Sequence, residues 1–197
     1  MKRIAVGMPV ALLAGWLWAQ GQMVPQIALP FYVYQGFHSR ENHFIPSGWM
    51  GDYRDLRFDD HYMDPQVHRP VIRVSYAAMA AQQNGWAGIY WQHPANNWGG
   101  KPGGFNLNGA KRVIFMARGD KGDEVIDQFK IGGIAGDFAD SGSAAIGPIT
   151  LTKDWKQYEI SLDGQELSSI SGGFCWTVTR DANPGGASFE LDDIRFE

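Results

Sequence analysis

The fold class is decided by two short stretches, Tyr158-Glu159-Ile160-Ser161-Leu162 and Phe174-Cys175-Trp176-Thr177-Val178-Thr179. In each stretch, large apolar residues alternate with polar or small residues. This is the two-residue period of a β-strand, and it indicates one buried face and one face in water. The pattern predicts that Trp176 lies in the core. It also predicts that Cys175 is a small, inert residue of the sheet.

The same kind of pattern recurs at short intervals along the chain. Turn segments rich in Gly, Asn, Asp or Pro separate the apolar runs, and the chain has 25 Gly and 10 Pro. The sequence therefore predicts an all-β fold, a two-sheet antiparallel β-sandwich of the jelly-roll type in a single domain. The predicted strands are Phe31–Tyr34, Leu56–Phe58, Val71–Tyr76, Trp86–Gln92, Arg112–Ala117, Val125–Ile131, Tyr158–Leu162, Phe174–Thr179 and Ser188–Phe196.

Composition excludes several classes of protein. A chain of 197 residues suits one ordinary domain, and a content of 13% aromatic and 19% charged residues is unlike a disordered protein. The net charge of −4 offers no basic surface for nucleic acid. The single cysteine excludes an intramolecular disulfide and a metal site with several cysteines.

Residues 1–21 have the features of a secretory signal peptide. Lys2 and Arg3 precede an uncharged apolar run, and small residues follow at positions 19 and 21. The run is shorter than the roughly 20 residues of a membrane-spanning helix, so no membrane span is expected after cleavage. The predicted organisation is a signal peptide at 1–21, an N-terminal extension at 22–30 and a β-sandwich domain at 31–197. We expect a secreted or periplasmic protein.

The C-terminal half, about residues 105–197, resembles the jelly-roll domains of carbohydrate-binding modules in the galactose-binding-like superfamily. The resemblance rests on Ile149–Leu162, where Trp155 follows a polar turn, on Gly173–Trp176 and on the final Phe189–Phe196. Together with the predicted signal peptide, it implies an exported protein that binds a polysaccharide or surface glycan without catalysis.

The resemblance further implies a structural calcium ion. Asp192 stands at the place of the metal ligand in the family's last strand, and calcium prefers carboxylate and carbonyl oxygens. Asp59, Asp60 and Glu41 are the alternatives for an earlier ligand, of which we take Asp59 with Asp192 as the predicted metal residues.

The densest set of rings and amides indicates where a sugar would bind. Aromatic rings stack on the apolar face of a pyranose, while amides bind its hydroxyl groups. We expect Trp86, Tyr90 and Trp98 to stack, and the loop bearing Trp98 either folds back on the sandwich or faces a partner. A second turn-rich segment presents Trp49. The candidate ligand-binding residues are Trp49, Trp86, Tyr90, Gln92, His93, Asn96, Asn97 and Trp98.

Two other functions stay open at this point. A small glycan-degrading enzyme would need a pair of carboxylates, as in glycoside hydrolases, or a pair such as Tyr90 and His93 acting as a lyase. No sequence pattern selects a carboxylate pair, and no serine nucleophile elbow occurs. Alternatively, the exposed rings would contact another protein in a structural or adhesive role in the cell envelope.

Overall fold

The computed structural model describes residues 27–197, so the predicted signal peptide and the first part of the predicted extension lie outside the described residues. Within this range the regular secondary structure is almost all β-strand, with one three-residue 3-10 helix at Tyr53–Asp55. The strands are β1 Phe31–Tyr34, β2 Ile45–Gly51, β3 Leu56–Met63, β4 Pro70–Tyr76, β5 Trp86–Gln92, β6 Arg112–Gly119, β7 Val125–Ile126, β8 Gln128–Gly132, β9 Ser143–Ile146, β10 Ile149–Thr150, β11 Lys156–Ser161, β12 Gly172–Thr179 and β13 Ala187–Phe196.

Two antiparallel sheets form the sandwich. The first sheet has the strand order β11-β6-β13-β4-β3, and β1 also pairs with β13. The second sheet has the order β2-β5-β12-β8-β9, and β7 and β10 form a separate short ladder. This arrangement confirms the predicted two-sheet antiparallel β-sandwich. The long β13 pairs with β6 along most of its length, with a register shift between Asp192 and Arg195, and pairs with β4 in its first half and with β1 at its end.

The core lies between the two sheets and is rich in aromatic rings. Trp176 of the second sheet meets Phe189 of the first edge-on, with ring centroids 5.1 Å apart. Phe115 and Phe174 make a similar contact at 5.1 Å. Trp176 is fully buried, as its alternating strand predicts. The buried rings fix the two sheets face to face, since aromatic pairs prefer such edge-to-face geometry.

Three strands escaped the sequence pattern, namely β2, β9 and the two-residue β10. β2 contains Pro46 and two glycines, and β9 lies in a segment whose small residues predict a turn. Both are edge strands of the second sheet, where a strand needs few large residues because it has one neighbour. The predicted strand at 125–131 is divided into β7 and β8.

The outer face of the first sheet is closed by charged side chains. Buried Arg118 donates to a carboxylate oxygen of buried Asp64 at 2.8 Å and pairs with Glu190 at 3.3 Å. Arg73 pairs with the other oxygen of Glu190 at 2.5 Å. The charges of this network are mutually compensated, and the β3–β4 turn lies over them because Asp64 also accepts the backbone N–H groups of Gln66 and Val67.

The described part of the predicted N-terminal extension packs on the domain. The backbone N–H of Ile27 donates to the carbonyl oxygen of Asn106 at 3.2 Å, and the Ile27 side chain packs against the core. Among residues 27–197, no helix has the length and apolar character needed to cross a membrane.

Candidate functional site

The outer face of the second sheet is defined by the alternation along β5. Ala87, Ile89 and Trp91 belong to the core, so Gly88 and Tyr90 face outward, as the sequence predicts. Because paired residues of antiparallel strands share a face, the pairs of Gly88 with Met50 and Thr177 extend this face across β2 and β12. The partly or fully exposed side chains on it, here named the outer strip, are Met50, Trp86, Gln128, Lys130 and Thr177.

Tyr90 lies on this face but is covered by neighbouring residues. Its side chain is only 5% exposed and packs with Ile134 and Cys175 in a small apolar cluster. Its hydroxyl donates to the carbonyl oxygen of Gly132, and burial raises the pKa of the phenol. Tyr90 therefore offers little ring surface to a ligand, and its position is fixed by neighbours on both sides.

Trp98 extends the face beyond Tyr90. Its indole is 47% exposed and stands edge-on to the Tyr90 ring, with centroids 6.2 Å apart and planes at 89°. The ring also lies over Gly48, where a Cβ atom would approach Cζ2 of Trp98 to 2.9 Å. The loop thus folds back on the sandwich and still presents half of the indole to solvent.

The loop that carries Trp98 is held by fully buried amides. Gln92 donates to the carbonyl oxygen of Asn97 at 3.0 Å and accepts the hydroxyl of Ser47 at 3.0 Å. Asn97 donates to the carbonyl oxygen of Lys101 and accepts the N–H of Gly99. These amides are engaged within the protein. Among the predicted amides, only the side chain of Asn96 is exposed.

A second loop, between β8 and β9, adjoins the Trp98 loop. The backbone N–H of Phe138 donates to the carbonyl oxygen of Gly99 at 2.9 Å, and the Phe138 ring is 45% exposed. Asp140 anchors this loop by accepting the N–H groups of Ile134 at 3.0 Å and Ser171 at 2.5 Å. Burial raises the pKa of Asp140 despite these bonds. Sequence reasoning missed Phe138, a single large apolar residue in a turn-like segment.

Two predicted residues lie away from this surface. Trp49 pairs with Ile89, so it faces the core side at the sheet edge, and its ring lies 6.2 Å from Phe58 of the first sheet. His93 is half-buried with its ring 4.3 Å from that of Phe105, and burial lowers the pKa of the imidazole. The structure brings Trp86, Tyr90 and Trp98 to one face, and it does not bring Trp49 or His93 there.

The predicted metal residues Asp59 and Asp192 differ in their surroundings. Asp192 is buried, one of its oxygens is ion-paired with Arg69, and burial raises the pKa of its carboxyl. Asp59 is exposed and groups with Asp60 and His61, a group that does not include Asp192. Because the Arg69 guanidinium already supplies a positive charge at Asp192, these residues do not fit a calcium ion shared by Asp59 and Asp192.

Comparison with solved structures identifies the class of fold. The chain is similar to the family 30 carbohydrate-binding module of a cellulosomal cellulase of Clostridium thermocellum, with a TM-score of 0.54 and 14% identity over 86% of this chain and 98% of that chain. A second structure of a family 30 carbohydrate-binding module gives a TM-score of 0.53 and 16% identity over 86% and 99%. The expected jelly roll of carbohydrate-binding modules is thus confirmed at the level of the fold.

No protein-family model and no curated protein matches the sequence.

Proposed function

We propose that this protein binds a polysaccharide or surface glycan, without catalysis, on the outer face of its second sheet. The observation that carries the proposal is the Trp98 indole, held half-exposed on that face by a loop whose polar groups are bonded internally. A rigidly held ring costs little conformational entropy when a ligand covers it, and its flat apolar face suits the C–H face of a pyranose.

The spacing of the rings supports a ligand longer than one sugar. Trp86 and Tyr90 lie four residues apart on β5, which corresponds to about 13 Å along the strand, and Trp98 adjoins Tyr90. Between the two indoles lie the exposed polar groups of the outer strip, among them Thr177 and Gln128. A glycan lying along β5 would meet a ring at each end and hydroxyl-binding groups between them.

The fold gives further support. The two family 30 modules are by their titles carbohydrate-binding modules, and one belongs to a cellulosomal cellulase. We extend carbohydrate binding to this chain because an open, ring-bearing sheet face accompanies the shared fold. We also propose export of the protein, on the basis of the signal peptide predicted at residues 1–21.

Catalysis is less well supported by the geometry. Asp140 is the half-buried carboxylate of the β8–β9 loop, and its oxygens accept hydrogen bonds from the backbone N–H groups of Ile134, Ser171 and Gly172. The two members of the lyase pair considered above are engaged with different partners. The Tyr90 hydroxyl is bonded to the carbonyl oxygen of Gly132, and the His93 ring packs on Phe105. Neither arrangement leaves a proton-transfer group directed at a ligand on the outer strip.

The test is a glycan array with purified protein, followed by calorimetric titration of each glycan that binds. The same mixtures are assayed for new reducing ends and for unsaturated products. We expect binding of at least one neutral polysaccharide without product release. Binding to no glycan on the array would refute the proposal, and release of products would replace it with the enzymatic alternative.

A further inference from the structure

An open cavity lies at one end of the outer strip. Its volume is about 620 Å³, within the range typical of ligand pockets. It opens where β5 begins and β12 ends, since Trp86 pairs with Thr179. The β4–β5 loop and the β12–β13 loop leave the sheet at this point and form its walls, from which Gln83, Asn84, Arg180 and Asp181 line it.

The β4–β5 wall is built around a buried carboxylate. Asp52 is fully buried and accepts the backbone N–H groups of Gln82 at 2.7 Å, Asn84 at 3.0 Å and Gly85 at 2.7 Å. Burial alone would raise the pKa of Asp52, but these bonds hold it below its usual value. The carboxylate therefore fixes the loop from behind, leaving the exposed Asn84 on the pocket side.

The same loop contains unusual backbone conformations. Ala78, Ala80 and Gln83 have φ values of 56°, 53° and 65°, in the left-handed region that non-glycine residues rarely adopt. Such conformations persist only where surrounding contacts enforce them. The backbone N–H of Arg180 also donates to the carbonyl oxygen of Gly85 at 2.8 Å, which ties the two walls together. The pocket is thus preformed.

The pocket offers three kinds of contact within one space. Among the lining residues, Trp86 carries an indole, Arg180 carries guanidinium N–H donors, and Asp181 carries a carboxylate acceptor. Arg180 and Asp181 are exposed, and neither forms an ion pair within residues 27–197. A neutral sugar ring presents an apolar face to an indole, while its neighbouring hydroxyl groups both accept from a guanidinium and donate to a carboxylate.

We infer that this pocket, here named the Trp86 pocket, binds one neutral pyranose unit with adjacent hydroxyl groups, as the end subsite of the glycan that lies on the outer strip. The inference rests on the proposed function. A neutral unit is favoured over a uronic acid because the charges of Arg180 and Asp181, the two charged residues of the lining, cancel and leave no net positive charge to hold a sugar carboxylate. The pocket adds specificity at the opposite end of the face from Trp98.

The experiment uses calorimetric titration with cello-, xylo- and manno-oligosaccharides of two to six units, and with oligogalacturonates as the anionic comparison. Arg180→Ala and Asp181→Asn are the test variants, because both side chains are exposed and neither change removes core packing. Arg57→Ala and Asp123→Asn are matched controls at exposed positions outside the pocket. We expect each pocket variant to weaken binding of a neutral oligosaccharide by about tenfold, with the controls unchanged.

The outcomes separate the two proposals. Binding of neutral oligosaccharides that depends on Trp98 but is unaltered by the Arg180 and Asp181 variants would overturn the Trp86 pocket and leave the proposed function standing. Tighter binding of oligogalacturonates than of every neutral series would overturn the ligand class. If no neutral series binds and the wider glycan array is also negative, the proposed function fails and the pocket inference falls with it.

Discussion

Replacing Trp98 with alanine is the most direct perturbation of the proposed binding face. The indole keeps 47% of its surface exposed, which is about 70–120 Å² if a large aromatic side chain has about 150–250 Å² to bury. Covering all of it would contribute about 2–3 kcal/mol at about 25 cal/mol per Å². A pyranose stacked on one face covers about half, so we expect a loss of about 1–1.5 kcal/mol, or roughly 5–13-fold in Kd.

Calorimetric titration of Trp98→Ala against a glycan that binds the wild type measures this loss. Trp49→Ala is the matched control, because Trp49 is 39% exposed but lies toward the core side of the same sheet. Thermal unfolding of both variants verifies that each remains folded. Unchanged affinity of Trp98→Ala, or equal losses in the two tryptophan variants, would refute the assignment of binding to the outer face.

Gly48→Ala tests the support of the ring while the indole remains. A Cβ atom at position 48 would lie 2.8 Å from Cβ of Tyr90 and 2.9 Å from Cζ2 of Trp98, so the ring must shift. We expect weaker glycan binding, with a stability loss of about 1–3 kcal/mol from overpacking. Gly100→Ala is the control in the Trp98 loop, because a Cβ atom there meets no other atom within 4 Å. Full affinity in Gly48→Ala would contradict the importance of ring position.

Three further predictions concern buried groups, Cys175, Asp192 and Asp64. Burial raises the pKa of the Cys175 thiol to about 12, so we expect a disulfide reagent to label it at pH 8 only after unfolding in guanidinium. Arg69→Met leaves buried Asp192 without its cation, so we expect denaturant titration to show a free energy of unfolding lower by about 1–3 kcal/mol. We expect EDTA to leave the melting temperature of the wild type unchanged. A melting temperature raised by calcium would contradict this expectation. Burial would raise the pKa of Asp64, but the backbone N–H groups of Gln66 and Val67 and the Arg118 guanidinium lower it overall. The ionised Asp64 therefore stabilises the fold at pH values above the ordinary carboxyl pKa, and this contribution is lost as the pH falls through the lowered pKa. The stability gap between wild type and Asp64→Asn should therefore narrow in denaturant titrations at acidic pH.

The alternation of apolar and polar residues predicted most strands of the sandwich, because successive side chains of a strand point to opposite faces and this two-residue period is visible in the sequence. Trp176 and Trp91 are fully buried where the pattern places them, and β1 and β5 have the predicted bounds. The edge strand β2 was missed because its packing uses small residues. Gly48, for example, makes room for Trp98, a contact between distant segments that no local pattern records.

The candidate site was predicted in part for a related reason. The alternation predicted that Trp86, Tyr90 and Gln92 share the outward side of β5, and the structure has them on that side. Their exposure depends on what covers the sheet, and the β8–β9 loop brings Ile134 over Tyr90, while Asn97 closes over Gln92. A strand pattern distinguishes two faces, but only tertiary contacts decide which part of an outward face meets solvent.

The burial of the amides changes how binding by this face should be understood. Gln92 and Asn97 resemble hydroxyl-binding residues in sequence, yet their polar atoms bond to Ser47, Gly99 and the backbone of the Trp98 loop. Their contribution to glycan binding would therefore act through the position of the indole, and would accompany a contribution to stability. Direct contacts would come from exposed groups, with rings providing most of the affinity and the outer strip and the Trp86 pocket providing selectivity. This division follows from physical chemistry, because a buried amide cannot give up its internal bonds to a sugar without leaving another polar group unpaired.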